Sequence, residues 1–187
     1  ESAHVYGSVF LQGYNKNLVD NFISEMNNIE PSAGWLTENY SGTRKRVIRG
    51  TGGEVQDRPL GYIAKNAMKL DAARDFVETL DISERDRRAL IFSVILAADS
   101  VFNNSNDQKS SLKEWQAKSL KDVVFKSPTL ISGFDGIQYK GNILDVNVGA
   151  YEMVYLDPPY THGVLYDSCY HLNDSIAKWD KPQLNYD

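Results

Sequence analysis

The residues with the clearest capacity for chemistry are Asp157-Pro158-Pro159-Tyr160. They follow Met153-Val154-Tyr155-Leu156, whose composition predicts a short buried β-strand. Open α/β sheets bind ligands at the carboxyl ends of their strands, so this position favours a functional site. Prolines also follow strands in ordinary turns, and that structural interpretation of the tetrapeptide stays open.

The tetrapeptide offers what the exocyclic amine of a nucleic-acid base needs in order to attack an electrophilic methyl group. The nitrogen lone pair is delocalised into the ring, so both N–H groups must be held by acceptors that favour a pyramidal nitrogen. Asp157 can be one acceptor, and the backbone carbonyl of Pro158 can be the other because consecutive prolines hold it in place. The ring of Tyr160 can stack on a base extruded from a duplex.

The tetrapeptide resembles the catalytic motif of amino-methyltransferases, in the Asp form typical of adenine-specific (N6) DNA methyltransferases of restriction-modification and phage type. Further similarity to one branch of these enzymes covers most of residues 60–182. It rests on Asn66-Ala67, Asp71-Ala72-Ala73-Arg74, Ala97-Ala98-Asp99, Lys113-Glu114-Trp115, Tyr155-Leu156, Tyr170-His171-Leu172, Ile176-Ala177 and Asp180-Lys181-Pro182. The resemblance implies catalytic roles for Asp157, Pro158, Pro159 and Tyr160. It also implies S-adenosyl-L-methionine as co-substrate, double-stranded DNA as partner and a cognate restriction endonuclease system.

The cofactor pocket is only partly represented. The family carries a motif resembling Phe-x-Gly-x-Gly on its first strand, and no such motif precedes Glu1. The glycines of Arg49-Gly50-Thr51-Gly52-Gly53 do not replace it, because no apolar strand comes before them. We therefore expect half of the pocket to lie outside this chain and the chain alone to be inactive. The resemblance places Asp145 and Asp157 near the cofactor, although a plain turn or capping role for Asp145 stays open.

Five cations between residues 41 and 59 are the best candidates for DNA contact: Arg44, Lys45, Arg46, Arg49 and Arg58. Four glycines in the same stretch predict a mobile loop. A net charge of −5 argues against a uniformly basic surface but permits a local one. Solvated surface charge is the alternative for this group and for Arg85, Arg87 and Arg88.

Two aromatic residues beyond the tetrapeptide, Tyr166 and His171, are candidates for lining the base pocket. Packing in the core explains such residues equally well.

The elements that must position these residues follow from periodicity. Helices are predicted at 15–27, 65–80 and 83–102, with shorter helical pieces at 112–124 and strands at 136–148 and 153–156. Two strands cannot form a stable sheet alone. Together with the resemblance, this order predicts an α/β class, part of a Rossmann-like methyltransferase domain with a largely helical inserted target-recognition region. Residues 1–134 would be mainly helical and include a DNA-recognition segment at 41–128. Residues 135–187 would be the C-terminal part of the catalytic domain.

Composition limits the class of protein. With 42% hydrophobic residue types, the 187 residues can bury one sizeable core. No run of about 18 apolar residues and no signal-peptide layout occurs, so we expect a cytoplasmic protein. One cysteine, Cys169, excludes an internal disulfide, and three histidines without ligand spacing predict no bound metal.

Three functional hypotheses remain from the sequence. The first is a site-specific DNA methyltransferase that flips adenine and methylates N6. The second is an RNA or cytosine-N4 amino-methyltransferase, because related tetrapeptides serve those bases. The third is a DNA-binding specificity module without catalysis of its own.

Overall fold

Six helices and one hairpin form the regular structure of the part of the chain that is described. The computed structural model describes residues 1–47, 52–104, 112–130, 136–149, 151–157 and 166–184, without the side chains of residues 46, 47 and 166–169. The helices are α1 (Ser2–Gln12), α2 (Lys16–Asn28), α3 (Trp35–Tyr40), α4 (Ala64–Thr79), α5 (Glu84–Val101) and α6 (Tyr166–Lys178). The strands are β1 (Thr43–Val47) and β2 (Val55–Pro59).

Helix α5 is the centre of the core. It is apolar nearly all round, as a helix surrounded by other elements must be, and it packs against α1, α2, α4 and α6. Its N-terminus is capped by Ser83, whose hydroxyl accepts a hydrogen bond from the backbone N–H of Asp86. The predictions of helices at 15–27 and 65–80 are likewise confirmed by α2 and α4.

Long-range contacts explain the helices that periodicity did not reveal. Gly7 lowers the helix propensity of α1, but Val5 and Val9 of α1 are buried in the core. Helix α3 has only six residues, too few to be stable alone. The carboxylate of Asp71 on α4 holds its first turn by accepting the backbone N–H groups of Leu36 and Thr37, both at 2.8 Å.

A buried arginine of α4, Arg74, forms hydrogen bonds with the C-terminal end of α6. Arg74 is 1% exposed, and its Nε donates to the carbonyl of Ile176 at 2.7 Å, with Nη2 donating to the carbonyl of Ala177 at 3.3 Å. A cation at the C-terminal end of a helix also interacts favourably with the helix dipole. The last turn of α6 is thus held from α4.

Strands β1 and β2 form an antiparallel hairpin, with Thr43 opposite Pro59 and Val47 opposite Val55. Its foot is closed by Gly42, whose N–H donates to the carbonyl of Tyr62 and whose carbonyl accepts from the N–H of Leu60. The sequence predicted a mobile loop over residues 41–59, and this prediction was wrong for the residues of β1 and β2. Each strand is stabilised by the other, and the cation-rich sequence lacks the alternation of apolar and polar residues that identifies most strands.

The prediction of strands at 136–148 and 153–156 was wrong for the described residues. Residues 143–145 form a 3-10 turn, and the rest is irregular. Met153 and Tyr155 are 86% and 85% exposed. A strand needs a hydrogen-bonded neighbour, and among the described residues none pairs with either segment. The short helices predicted at 112–124 are turns and extended chain instead.

The division at residue 134 stays a prediction, and α6, which lies beyond it, packs on α1 and α5. Within the part of the chain that is described, no helix has the length and apolar character needed to cross a membrane.

Candidate functional site

Asp157 is exposed to solvent, at the end of an irregular segment whose apolar side chains are exposed too. Pro158, Pro159 and Tyr160 lie outside the described residues, as does the chain up to residue 165. After this gap the chain enters α6, where Leu172 and Ile176 are fully buried in the core. The tetrapeptide is therefore followed by an anchored helix.

His171 on α6 contacts the aromatic residues that precede the hairpin. Its ring centroid lies 6.1 Å from that of Tyr40, with 30° between the planes, and the ring of Tyr40 lies 5.3 Å from that of Trp35. Tyr40 ends α3, and its carbonyl accepts the N–H of Tyr62 at the foot of the hairpin. The structure thus brings His171 to the hairpin, whereas the side chain of Tyr166 lies outside the described residues.

A buried polar cluster also joins α6 to α5. The Nδ2 group of Asn173 lies 3.4 Å from a carboxylate oxygen of Asp99 and 3.5 Å from the hydroxyl of Tyr6. Burial, with a further contribution from the charge of Asp99, raises the pKa of Tyr6 to about 12, so this hydroxyl stays protonated at neutral pH. Neither this cluster nor the role of Tyr40 was predicted, because each depends on residues far apart in sequence.

The register of the hairpin separates its cations. Arg44 lies directly opposite Arg58, and Lys45 lies directly opposite Asp57. Directly opposed residues project on the same face of a sheet, and like charges placed so are destabilising. Among the described side chains, one face therefore carries two arginines, and the other carries a lysine opposite an aspartate. We call the first the arginine face of the hairpin.

The remaining hairpin cations are only partly described. Arg46 pairs with Gln56 in the backbone register, but its side chain is not among those described, and Arg49 lies in the undescribed turn. The Nε group of Arg58 is buried and has no hydrogen-bond partner within the described part of the chain. A buried donor of this kind favours an external acceptor such as phosphate.

The second group of cations has mainly structural contacts. Arg87 donates to the carbonyls of Val77 and Leu80, each at 2.5 Å, at the end of α4. Arg88 donates to the hydroxyl of Ser8 at 3.3 Å. Arg88 also lies near His4: burial lowers the pKa of the His4 imidazole, and the positive charge of Arg88 lowers it further. Arg85 remains as an exposed cation at the start of α5.

Asp145 lines an open cavity of about 600 Å³. Tyr139 and Tyr151 line it too, and so do the amides of Asn142 and Asn147. The 3-10 turn that contains Asp145 is capped by Asn142, whose side chain accepts the N–H of Leu144. The Asp145 carboxylate is therefore not the cap of that turn. A carboxylate beside aromatic rings can bind a nucleoside, and the cavity has the volume of a small-molecule site.

Among the described residues, no three His, Cys, Asp or Glu side chains are placed together to hold a metal ion.

Comparison with known proteins places this geometry in context. The family described as D12 class N6 adenine-specific DNA methyltransferase matches residues 4–186. Modification methylase LlaI of Lactococcus lactis subsp. lactis is 28% identical over 129 residues, which is 64% of this chain and 21% of that protein. Modification methylase StsI of Streptococcus sanguinis is 27% identical over 152 residues, 70% of this chain and 23% of that protein. The chain thus spans about a fifth of the length of these relatives. No solved structure matches it.

Proposed function

Because the chain belongs to the D12 class of N6 adenine-specific DNA methyltransferases, we propose that the complete protein methylates N6 of adenine at a specific site in double-stranded DNA. The family match over residues 4–186 carries this proposal, because it includes the hairpin, the tetrapeptide and α6. Two relatives are modification methylases, which supports a role beside a cognate restriction endonuclease.

The helices before residue 134 and the hairpin would form the target-recognition region of the protein, and residues 153–156 would pack within a Rossmann-like sheet. The exposure of Met153, Val154, Tyr155 and Leu156 supports the second assignment. Four consecutive large apolar side chains at the surface are unusual, and a central strand of a parallel sheet would bury them.

The hairpin would bind the DNA through its arginine face. Arg44 and Arg58 would contact phosphates, and an anion between them would offset the repulsion that their opposed positions create. Phosphate contacts fix the register and orientation of a protein on the duplex. The contact between Tyr40 and His171 would then connect this position to α6 and the base pocket.

The tetrapeptide would hold the target amine. S-adenosylmethionine supplies an electrophilic methyl group when it is bound. The carboxylate of Asp157 and the carbonyl of Pro158 would each accept one N–H of the adenine amine, which keeps electron density on N6. Tyr160 would stack on the extruded base, and His171 would line the pocket at its other side. Both acceptors act on the nitrogen whose bond is forming, so their effect is larger in the transition state.

The cavity that contains Asp145 would receive the nucleoside part of the cofactor. Its carboxylate can accept a hydrogen bond from a ribose hydroxyl, and the rings of Tyr139 and Tyr151 offer surfaces on which adenine can pack. Asp157 would border the methyl group.

The direct test is methylation of nucleic acid by the complete protein with radiolabelled S-adenosylmethionine, followed by digestion to nucleosides. We expect label in N6-methyldeoxyadenosine from duplex DNA. Label in N4-methyldeoxycytidine, or in RNA alone, would replace the proposal by one of its alternatives. Specific DNA binding without any label would support a specificity module that does not catalyse.

A further inference from the structure

An open groove lies between α5 and the segment 118–129, which is a turn followed by extended chain. Its volume is about 520 Å³, and its lining includes Lys118, Lys121 and Lys126. Leu96 and Val124 also line it and are 46% and 51% exposed. We call this feature the lysine groove.

The lysine groove carries positive charge that few nearby groups neutralise. Asp122 is the carboxylate in its lining, and it is paired with Lys65 at 2.5 Å. Lys118 donates to an uncharged oxygen, the Oδ1 atom of Asn104, at 2.7 Å. Within the described ranges, Lys121 and Lys126 form no ion pair. Three clustered cations on a chain with a net charge of −5 favour an anionic ligand.

The backbone that carries these lysines is held in place without a ligand. Asn66 accepts the N–H of Val123, and Asn27 accepts the N–H of Phe125. Val123 and Phe125 are buried, whereas Val124 and Lys126 are exposed. This is the alternation of an extended chain with one face on the core. The exposed lysines are therefore presented on a fixed backbone, which lowers the entropy cost of binding.

The lysine groove begins where the hairpin is attached. Just past the end of α5, the N–H of Asn103 donates to the carbonyl of Gly61 at the foot of the hairpin. The ring of Phe102 lies 5.0 Å from that of Tyr62 in an edge contact. Lys118 contacts Asn104, the next residue along, so the groove leads away from the hairpin foot along α5.

The floor of the groove offers a further polar group. Ser93 on α5 is fully buried and lines the groove, and its hydroxyl has no hydrogen-bond partner within the described part of the chain. From Ser93 to Ser100 the helix extends roughly 10 Å, at about 1.5 Å per residue. That length corresponds to about three phosphates along one DNA strand, at about 3.4 Å of helix axis each.

We propose that the lysine groove binds the sugar-phosphate backbone of the duplex on one flank of the recognition site. This inference rests on the proposed function and adds a second contact beside the hairpin. The lysines neutralise phosphates, and Leu96 and Val124 pack on deoxyribose. Because backbone contacts carry no sequence information, the groove contributes affinity and register but not site choice.

The test removes two groove charges in the complete protein through Lys121→Gln and Lys126→Gln. Binding to a fluorescent duplex that extends one helical turn beyond the site on both sides is measured by anisotropy over a range of salt concentrations. The slope of log K against log salt should become shallower by about 1.8, which is about 0.9 for each phosphate that the variant no longer neutralises. The matched control is Arg85→Gln with Lys178→Gln, two exposed cations away from the groove.

A slope equal to that of the wild type, or an equal change in the control pair, would overturn the proposal. Either result would indicate that the lysine groove binds an acidic protein or faces solvent. A second measurement uses duplexes that each carry one neutral methylphosphonate on a flank. At one or more positions this linkage should weaken binding by the wild type but not by the double variant. If the methylphosphonate weakened binding by the wild type and by the double variant equally at every position, that result would also contradict the proposal. Methylation by the wild type tests the proposed function separately.

Discussion

The ring of His171 lies 6.1 Å from the ring of Tyr40, and this contact joins the helix that follows residues 157–160 to the residues at the base of the hairpin. Tyr40 immediately precedes the residues that close the hairpin, and His171 belongs to a helix whose buried side chains are part of the core. In the proposed function, DNA bound by the hairpin would be positioned relative to α6 through this contact between packed rings.

His171→Phe separates packing from hydrogen bonding at this contact. Phenylalanine keeps a ring against Tyr40 but has no ring nitrogens, so the variant retains the ring contact and loses the hydrogen bonds of the imidazole. Removal of one hydrogen bond to the base, about 1 to 1.5 kcal/mol, should slow single-turnover methylation by about tenfold at saturating DNA. His171→Leu, which lacks a ring, should also lower the unfolding temperature. Full activity of His171→Phe would assign His171 to packing alone.

Arg44→Gln should weaken DNA binding and make its salt dependence shallower by about 0.9, because one phosphate is no longer neutralised. The same change removes one of the two like charges that the register places opposite each other. Lys45→Gln is the matched control, since Lys45 lies opposite a carboxylate, Asp57, and not opposite a second cation. Equal effects of the two variants on the salt slope would argue against an arginine face that binds DNA.

Arg74→Met should lower the free energy of unfolding by about 2 to 4 kcal/mol, measured by urea denaturation. It leaves the carbonyls of Ile176 and Ala177 without their donors at the end of α6. Arg74→Lys should recover only part of this stability, because an ammonium cannot reproduce the planar array of donors. The control is Arg85→Met on the exposed start of α5, expected within about 0.5 kcal/mol of the wild type. Equal stability of Arg74→Met and the control would contradict this role.

The pH dependence of the C-terminal segment should follow Asp75. Partial burial raises the pKa of Asp75, but hydrogen bonds from Lys181 and Trp179 outweigh it and hold the pKa below its ordinary value of 3.8. A lowered folded-state pKa stabilises the protein above the unfolded pKa, and this stability is lost as pH falls through the folded value. The wild type should therefore be more stable than Asp75→Asn at about pH 6, and the difference should shrink as the pH falls below the ordinary pKa of 3.8. If the stability difference between the wild type and Asp75→Asn grew as the pH fell, the pKa of Asp75 would not be lowered by folding.

Periodicity predicted the helices that bury a regular apolar face, as α2, α4 and α5 show. Periodicity could not predict α3, which depends on the carboxylate of Asp71, since that contact joins two elements. Nor could it predict the hairpin, whose strands carry cations where most strands carry apolar residues. The opposite error occurred at 153–156, where strand-like composition met no pairing partner among the described residues.

The candidate site shows the same division. The type and order of residues identified the tetrapeptide, because its chemistry depends on neighbours in sequence. The pairing of Arg44 with Arg58, the ring contact of His171 and the lysine groove depend on register and packing, which one sequence does not reveal. The roles of Asp157, Pro158, Pro159 and Tyr160 stay predictions.

Substitutions of Tyr160 and of Asp157 should impair different steps of the reaction, base flipping and methyl transfer respectively. Tyr160→Ala removes stacking, typically worth about 1 to 3 kcal/mol for each base, so it should reduce both the flipped population and the rate. Tyr160→Phe keeps the ring and should be mild. The flipped population is measured by 2-aminopurine at the target adenine, whose fluorescence rises when the base leaves the stack. Full fluorescence with Tyr160→Ala would contradict the stacking role.

The most direct test of the central claim is single-turnover methylation of duplex DNA by Asp157→Ala in the complete protein. Fluorescence is recorded in parallel on a second duplex with 2-aminopurine at the target position, because 2-aminopurine has no 6-amino group and cannot itself be methylated on N6. In the proposed mechanism the carboxylate of Asp157 accepts an N–H of the adenine amine most strongly in the transition state, so methyl transfer should slow by two or more orders of magnitude. DNA binding and much of the fluorescence rise should remain. Near-normal methyl transfer by Asp157→Ala would contradict the account.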